Sequence, residues 1–200
     1  MSTQQCVHNK VQRLPRGKPF PLATFHNCGT PTSVRQAVSR LAKSGELVRV
    51  AQGVYARPKP VRRLKNAALP TAEAIAKVIA KRNHEQLAPH GADLARQLGL
   101  STQMTMQSAF YTTGRTRKVP LRHGTVALQH APSYLIARQH TSAGRALLAL
   151  NHLGPRYVTN DVLHHLLEKV PSDAFGRMNK RRLPRWLRHA VTIFEAPTDG

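Results

Sequence analysis

Acidic residues are scarce: 9 Asp+Glu stand against 31 Lys+Arg in 200 residues, a formal charge of +22. So lopsided a chain repels itself and favours a polyanionic partner, either nucleic acid or an anionic membrane surface. The few acids are scattered, with no D-x-D or E-x-D pair. That excludes a nucleotidyltransferase built on paired carboxylates and magnesium. A G-x-x-x-x-G-K-[ST] phosphate loop and a G-x-S-x-G nucleophile elbow are also missing, so we expect no enzymatic reaction and no cofactor. Apolar runs are too short to span a bilayer, and the opening MSTQQCVHNK lacks the apolar segment of a secretory signal. A cytoplasmic protein with no membrane partner is the expectation. Cysteine is nearly absent: Cys6 and Cys28 give no disulfide framework. Nor is there an internal repeat or a low-complexity tail.

What is present begins with enough apolar content, 40%, to bury a core. Residues 1–65 hold 13 Lys+Arg and one acid, Glu46, whereas residues 66–200 hold 18 and 8. The densest positive charge therefore falls on the most patterned stretch, Thr30 to Ala56. There Val34, Ala37, Val38 and Leu41 recur at i, i+3, i+4, i+7 and predict one buried helical face. Thr32, Ser33, Arg35, Gln36, Ser39, Arg40 and Lys43 fill the other face, without an acid among them. Ser44-Gly45 stops the helix, and Glu46–Val50, Ala51–Gly53 and Val54–Ala56 read as strand, tight turn, strand. A helix feeding a two-stranded wing is the winged form of the helix-turn-helix.

Such a helix would present its outward side chains to base edges in the major groove. Arg35 and Gln36 are the best base readers, since Arg pairs with guanine and Gln with adenine. Arg40, Lys43, Arg49 and Gln52 suit phosphates, or the minor groove through the wing. The alternative is a solvated face in a module for protein contact.

Upstream, Gln4 to Leu14 predicts a helix with Val7, Val11 and Leu14 on one face, broken by Pro15–Pro19. Phe20 and Leu22–Phe25 predict a short second helix. After the wing, the proline-rich, basic stretch from Arg57 to Lys65 reads as an extended linker able to touch phosphates. A second domain is expected from Leu69-Pro70, with helices over residues 71–82, 92–98, 143–153, 162–170, 172–180 and 185–194. Strands are expected at residues 109–113, 118–121 and 125–129. The expected fold is α+β: a winged helix-turn-helix (1–60), a basic linker (61–70) and a mixed α/β C-terminal domain (71–200).

Three stretches carry a family resemblance. They are SVRQAVSRLAKSGELVRVAQGVYARP (Ser33–Pro58), PHGADLARQLGLSTQM (Pro89–Met104) and YTTGRTRKVPLRHGTVALQHAP (Tyr111–Pro132). The chain resembles the AbiEi-type antitoxins of type IV toxin–antitoxin systems, the last two stretches being the more specific. The resemblance implies a winged-helix repressor bound to inverted repeats in its own promoter, as a monomer or weak dimer on the DNA. It also implies a nucleotidyltransferase-like toxin as functional partner, without a tight complex. The DNA role carries over to Ser33, Arg35, Gln36 and Arg40. A protein-interaction antitoxin acting through its basic C-terminal domain, or an RNA-binding protein, are the alternatives.

Further candidates lie in the second half. Ser101, Thr102 and Gln103 can line a polar contact surface or simply fix the fold. Gly114 to Lys118, with Arg115, Arg117 and Lys118, reads as a basic hairpin that is either phosphate-binding or a solvated turn. Arg181, Arg182 and Arg185 form a second basic cluster, with Trp186 and Leu187 packed inward. Glu168 lies i+4 from His164, as a metal face or an ordinary helix bond. Cys6-x-His8 and His26-x-Cys28 are a mirrored pair with zinc-ligand chemistry but too tight a spacing, so no metal is expected.

Overall fold

The computed structural model describes residues 2–61, 67–103, 107–176 and 180–195, and the chain divides into two units. The first comprises Met1–Glu85 with Lys118–Val126, the second Gln86–Arg117 with Ala127–Gly200. The expected linker at 61–70 lies partly outside the described residues, and helix Ala72–Arg82, expected in the second domain, groups with the first unit.

In the first unit Ser2 caps α1 (Thr3–Arg13), accepting from the Gln5 amide at 3.2 Å. Val7 and Val11 of α1 are fully buried. A short strand, β1 (Pro19–Pro21), and a 3-10 segment (Leu22–Cys28) lead to α2 (Pro31–Lys43). The second helix expected around Leu22–Phe25 is thus a 3-10 turn. Thr30 caps α2, with Pro31 at its start, where a missing amide hydrogen costs nothing. Val34, Ala37, Val38 and Leu41 are buried with Val7, Val11, Phe20, Phe25 and Leu47 in one core. β2 (Val48–Ala51) and β3 (Val54–Ala56) follow, and the antiparallel sheet has the order β1-β3-β2. Gly53 closes the β2–β3 turn with φ +68, a conformation that side chains other than glycine's resist. α3 (Ala72–Arg82), capped by Thr71, packs on β1 and β3.

Two expectations fail here. Cys6 and Cys28 are joined in a disulfide that ties α1 to the 3-10 segment. Arg57 is buried rather than free for phosphate. Its Nη1 donates to the carbonyls of Gln12 (2.7 Å) and Leu14 (2.9 Å), and its Nη2 to Gln12 Oε1 (2.7 Å). The end of α1 leaves carbonyls without helical partners, and a guanidinium satisfies them.

The second unit holds β4 (Leu87–Pro89), α4 (Gly91–Gln97) and β5 (Ala109–Thr112). Strands β6 (Arg117–Pro120) and β7 (Thr125–His130), of which residues Lys118–Pro120 and Thr125–Val126 group with the first unit, complete the strand order β4-β5-β7-β6, in which β5 and β7 run parallel. β5 and β6 are not neighbours, so Gly114–Thr116 is a crossover and not the turn of a basic hairpin. His130 holds it: the His130 amide donates to Thr116 Oγ1 at 2.9 Å and its Nδ1 lies 2.9 Å from the Gly114 carbonyl. α5 (Ser133–Ile136), α6 (Ser142–Leu153), α7 (Asn160–Leu167) and α8 (Arg185–Glu195) follow. Instead of one helix over 172–180 there are 3-10 turns at Ser172–Phe175 and Lys180–Arg182, and residues 177–179 lie outside the described set.

The core of this unit is formed by α4, α6, α7 and α8, with Leu94, Leu147, Leu150, Leu166 and Leu187 buried. α4 meets α6 so closely at Gly91 that a Cβ there would collide with His152 and the Leu148 carbonyl. His90 caps α4. Its Nδ1 accepts from the Ala92 amide (3.3 Å), which leaves Nε2 to donate to Gln129 Oε1 (2.8 Å). No helix among the described residues is long and apolar enough to cross a membrane.

Candidate nucleic-acid interface

The outward side of α2 follows from its helical period: burying four apolar residues on one face turns the remaining side chains outward. Thr32, Arg35, Gln36, Ser39, Arg40 and Lys43 are exposed and Ser33 is half-buried. Ser33 is committed to the helix start, its Oγ 2.9 Å from Thr30 Oγ1 and its amide donating to the same oxygen. Arg40 Nη1 donates to Gln4 Oε1 of α1 at 2.8 Å. Among the described residues, none bonds or pairs with the side chains of Arg35, Gln36, Ser39 or Lys43.

On the β2–β3 hairpin, Arg49 and Gln52 are exposed. The hairpin tip is braced from α3, where Arg82 Nη1 donates to the Gln52 carbonyl at 2.9 Å. Sequence reading missed this contact, because it depends on α3 packing against a sheet 30 residues away.

Electrostatics reinforce the arrangement. The first unit carries 18 Lys+Arg and three acids. Glu46 sits 3.3 Å from His8 Nδ1 and accepts from Gln12 at 3.2 Å, and Glu73 pairs with Lys77 at 2.6 Å. Glu85 accepts from Asn83 at 3.4 Å, so each of the three acids has a partner outside α2.

The mirrored Cys/His motif is not a metal centre here. Its sulfurs are bonded to each other, His26 Nδ1 lies 3.0 Å from the Ala23 carbonyl, and His8 faces Glu46. No group of three or more His, Cys, Asp or Glu that could hold a metal occurs among the described residues. Glu168 pairs with His165 (3.4 Å), the residue after the His164 that its spacing indicated.

The second-half candidates are dispersed. Arg115 and Lys118 are exposed, whereas Arg117 is half-buried with its Nη1 donating to the Arg115 carbonyl at 2.9 Å. Arg181, Arg182 and Arg185 are exposed around the start of α8, with Leu187 buried and Trp186 partly buried behind them. Arg188 Nη2 donates to the carbonyls of Arg181 and Leu183, both at 3.2 Å, and so fixes that turn. Ser101 is half-buried, and Thr102 and Gln103 are exposed.

A family model described as a family of unknown function, DUF6088, matches residues 6–173. The chain belongs to DUF6088. No curated protein and no solved structure matches it. The DUF6088 match takes in the whole α2 face, the β2–β3 hairpin and the crossover at Gly114. It ends before Arg181, Arg182 and Arg185.

Proposed function

We propose that this DUF6088 protein is a sequence-specific double-stranded DNA-binding transcriptional repressor. In this reading residues 2–56 are a winged helix-turn-helix, α2 is the recognition helix and the β2–β3 hairpin is the wing. The observation that carries it is the outward side of α2. Arg35, Gln36, Ser39 and Lys43 stand exposed, without a side-chain partner among the described residues, on a helix whose first turn contains no acid. Cationic side chains left free in this way gain by replacing counterions on a phosphate backbone, and free Arg and Gln can read base edges.

The role matches that of the AbiEi-type antitoxins, which repress their own operons from the cytoplasm. Promoter inverted repeats are the proposed ligand, bound by a monomer or weak dimer. Neutralisation of a nucleotidyltransferase-like toxin is the proposed second role.

The test is fluorescence anisotropy with a duplex from the promoter of the protein's own gene, against a scrambled duplex, over a salt series. We expect the promoter duplex to bind about 10³-fold more tightly or better. Both affinities should fall steeply with salt. Equal affinity for the two duplexes would remove the repressor reading, and absence of binding would remove the DNA reading.

A further inference from the structure

We propose that Arg49 and Arg122 form a clamp for one DNA backbone phosphate, a site that rests on the DNA-binding reading and extends it beyond α2. β2 is the outer strand of the β1-β3-β2 sheet, and its edge is met by the turn between β6 and β7. Ala51 and Leu121 form a β-bridge, and the Arg122 amide donates to the Val50 carbonyl at 2.9 Å. Backbone bonds therefore fix the start of the Arg122 side chain beside β2.

Arg49 and Arg122 line one groove of about 280 Å³, together with Ala51, Gln52, Pro120 and Leu121. Both arginines are exposed, and no described residue bonds to either guanidinium. No acid lines the groove. Two cations facing one cleft without a counter-charge repel each other, and an anion between them relieves that repulsion. The planar guanidinium fork matches phosphate oxygens, and two forks can hold one phosphodiester from both sides. Lys118, on the same β6–β7 hairpin, is exposed as well and adds to the positive field. Sequence reading passed over Arg122, because only the pairing of distant strands sets it beside Arg49.

The test compares the full-length wild type with R49Q, R122Q, the double variant and R122K, by anisotropy on the promoter duplex across salt. Circular dichroism checks that each variant is folded. We expect R49Q and R122Q each to weaken binding about five- to tenfold, with the slope of log K against log salt little changed because the remaining arginine still neutralises the phosphate. With one shared phosphate, the slope should fall by about 0.9 only in the double variant. R122K, which keeps the charge, should keep most of the slope. A folded R122Q that binds like wild type with an unchanged slope overturns the clamp and leaves the DNA reading intact. Losses that multiply, with the slope falling by about 1.8, mean two separate phosphates and overturn it too. A wild type that binds no duplex overturns the DNA reading before any variant is compared.

Discussion

The guanidinium of Arg82, at the end of α3, donates to the carbonyl of Gln52 at the tip of the β2–β3 hairpin, 2.9 Å away. The bond is exposed, so its loss should cost little stability, about 0.5–1.5 kcal/mol. It should matter more for binding, because an unbraced tip must be ordered by the DNA. R82A is expected to lower duplex affinity severalfold with only a small fall in melting temperature, read by anisotropy and thermal denaturation in parallel. A fall in melting temperature without a change in affinity would show that the brace serves the fold alone.

Arg35 and Arg49 should fail differently. R35A should cost about 1–3 kcal/mol of discrimination at one base position, so that promoter and scrambled duplexes become less distinguishable. R49Q should weaken both duplexes alike. Affinities of both variants across a set of single-base operator changes measure the difference, and equal losses of R35A on all sequences would take Arg35 out of the reader role.

The Cys6–Cys28 disulfide closes a loop across a separation of 22 residues. By the chain-entropy model such a loop contributes about 3 kcal/mol. Urea denaturation with and without reductant should show that difference, and C28S should match the reduced wild type. Reducing cytosol keeps most thiols free, so the proposed role as a cytoplasmic DNA-binding repressor requires a reduced form that still folds. The C6S/C28S double variant is therefore expected to retain duplex binding, measured below its lowered midpoint.

Partial burial of His152, and then the neighbouring His90, hold the His152 imidazole below its ordinary value of 6.5. The folded chain thus disfavours the proton that the unfolded chain takes up. Stability from this group is fully present above the ordinary imidazole value and declines as pH falls through it towards the lower folded value. H152Q should flatten the acid-side decline of the melting temperature between about pH 7 and pH 5. An unaltered pH profile would exclude His152 as the cause.

Local patterning made part of this molecule legible. The four apolar positions of α2, its threonine cap and the turn at Gly53 each depend on neighbours within a few residues, and each reads directly. β1 did not read as a strand, because two of its three residues are proline and its extended form comes from pairing with β3, over 30 residues away. The parallel pairing of β5 with β7 likewise lies beyond local pattern, which is why Gly114–Thr116 looked like a hairpin turn. Arg57 looked like a free cation for the same reason: the carbonyls that bury it belong to Gln12 and Leu14. Of the candidate interface, the α2 residues are a sequence pattern, whereas Arg82 and Arg122 acquire meaning only from the fold.

The prolines of β1 carry one more implication. The Leu22 amide donates to the Gly53 carbonyl, so alternation turns the Phe20 N–H the same way and puts Pro19 and Pro21 at the outward positions. That margin has no hydrogen to offer a neighbouring polypeptide. The opposite margin, β2, is already occupied at Val50 and Ala51 by residues 121 and 122. A continuous intermolecular ribbon is thereby disfavoured on both flanks of the β1-β3-β2 sheet, so two copies meeting on adjacent half-sites would not join by extending it.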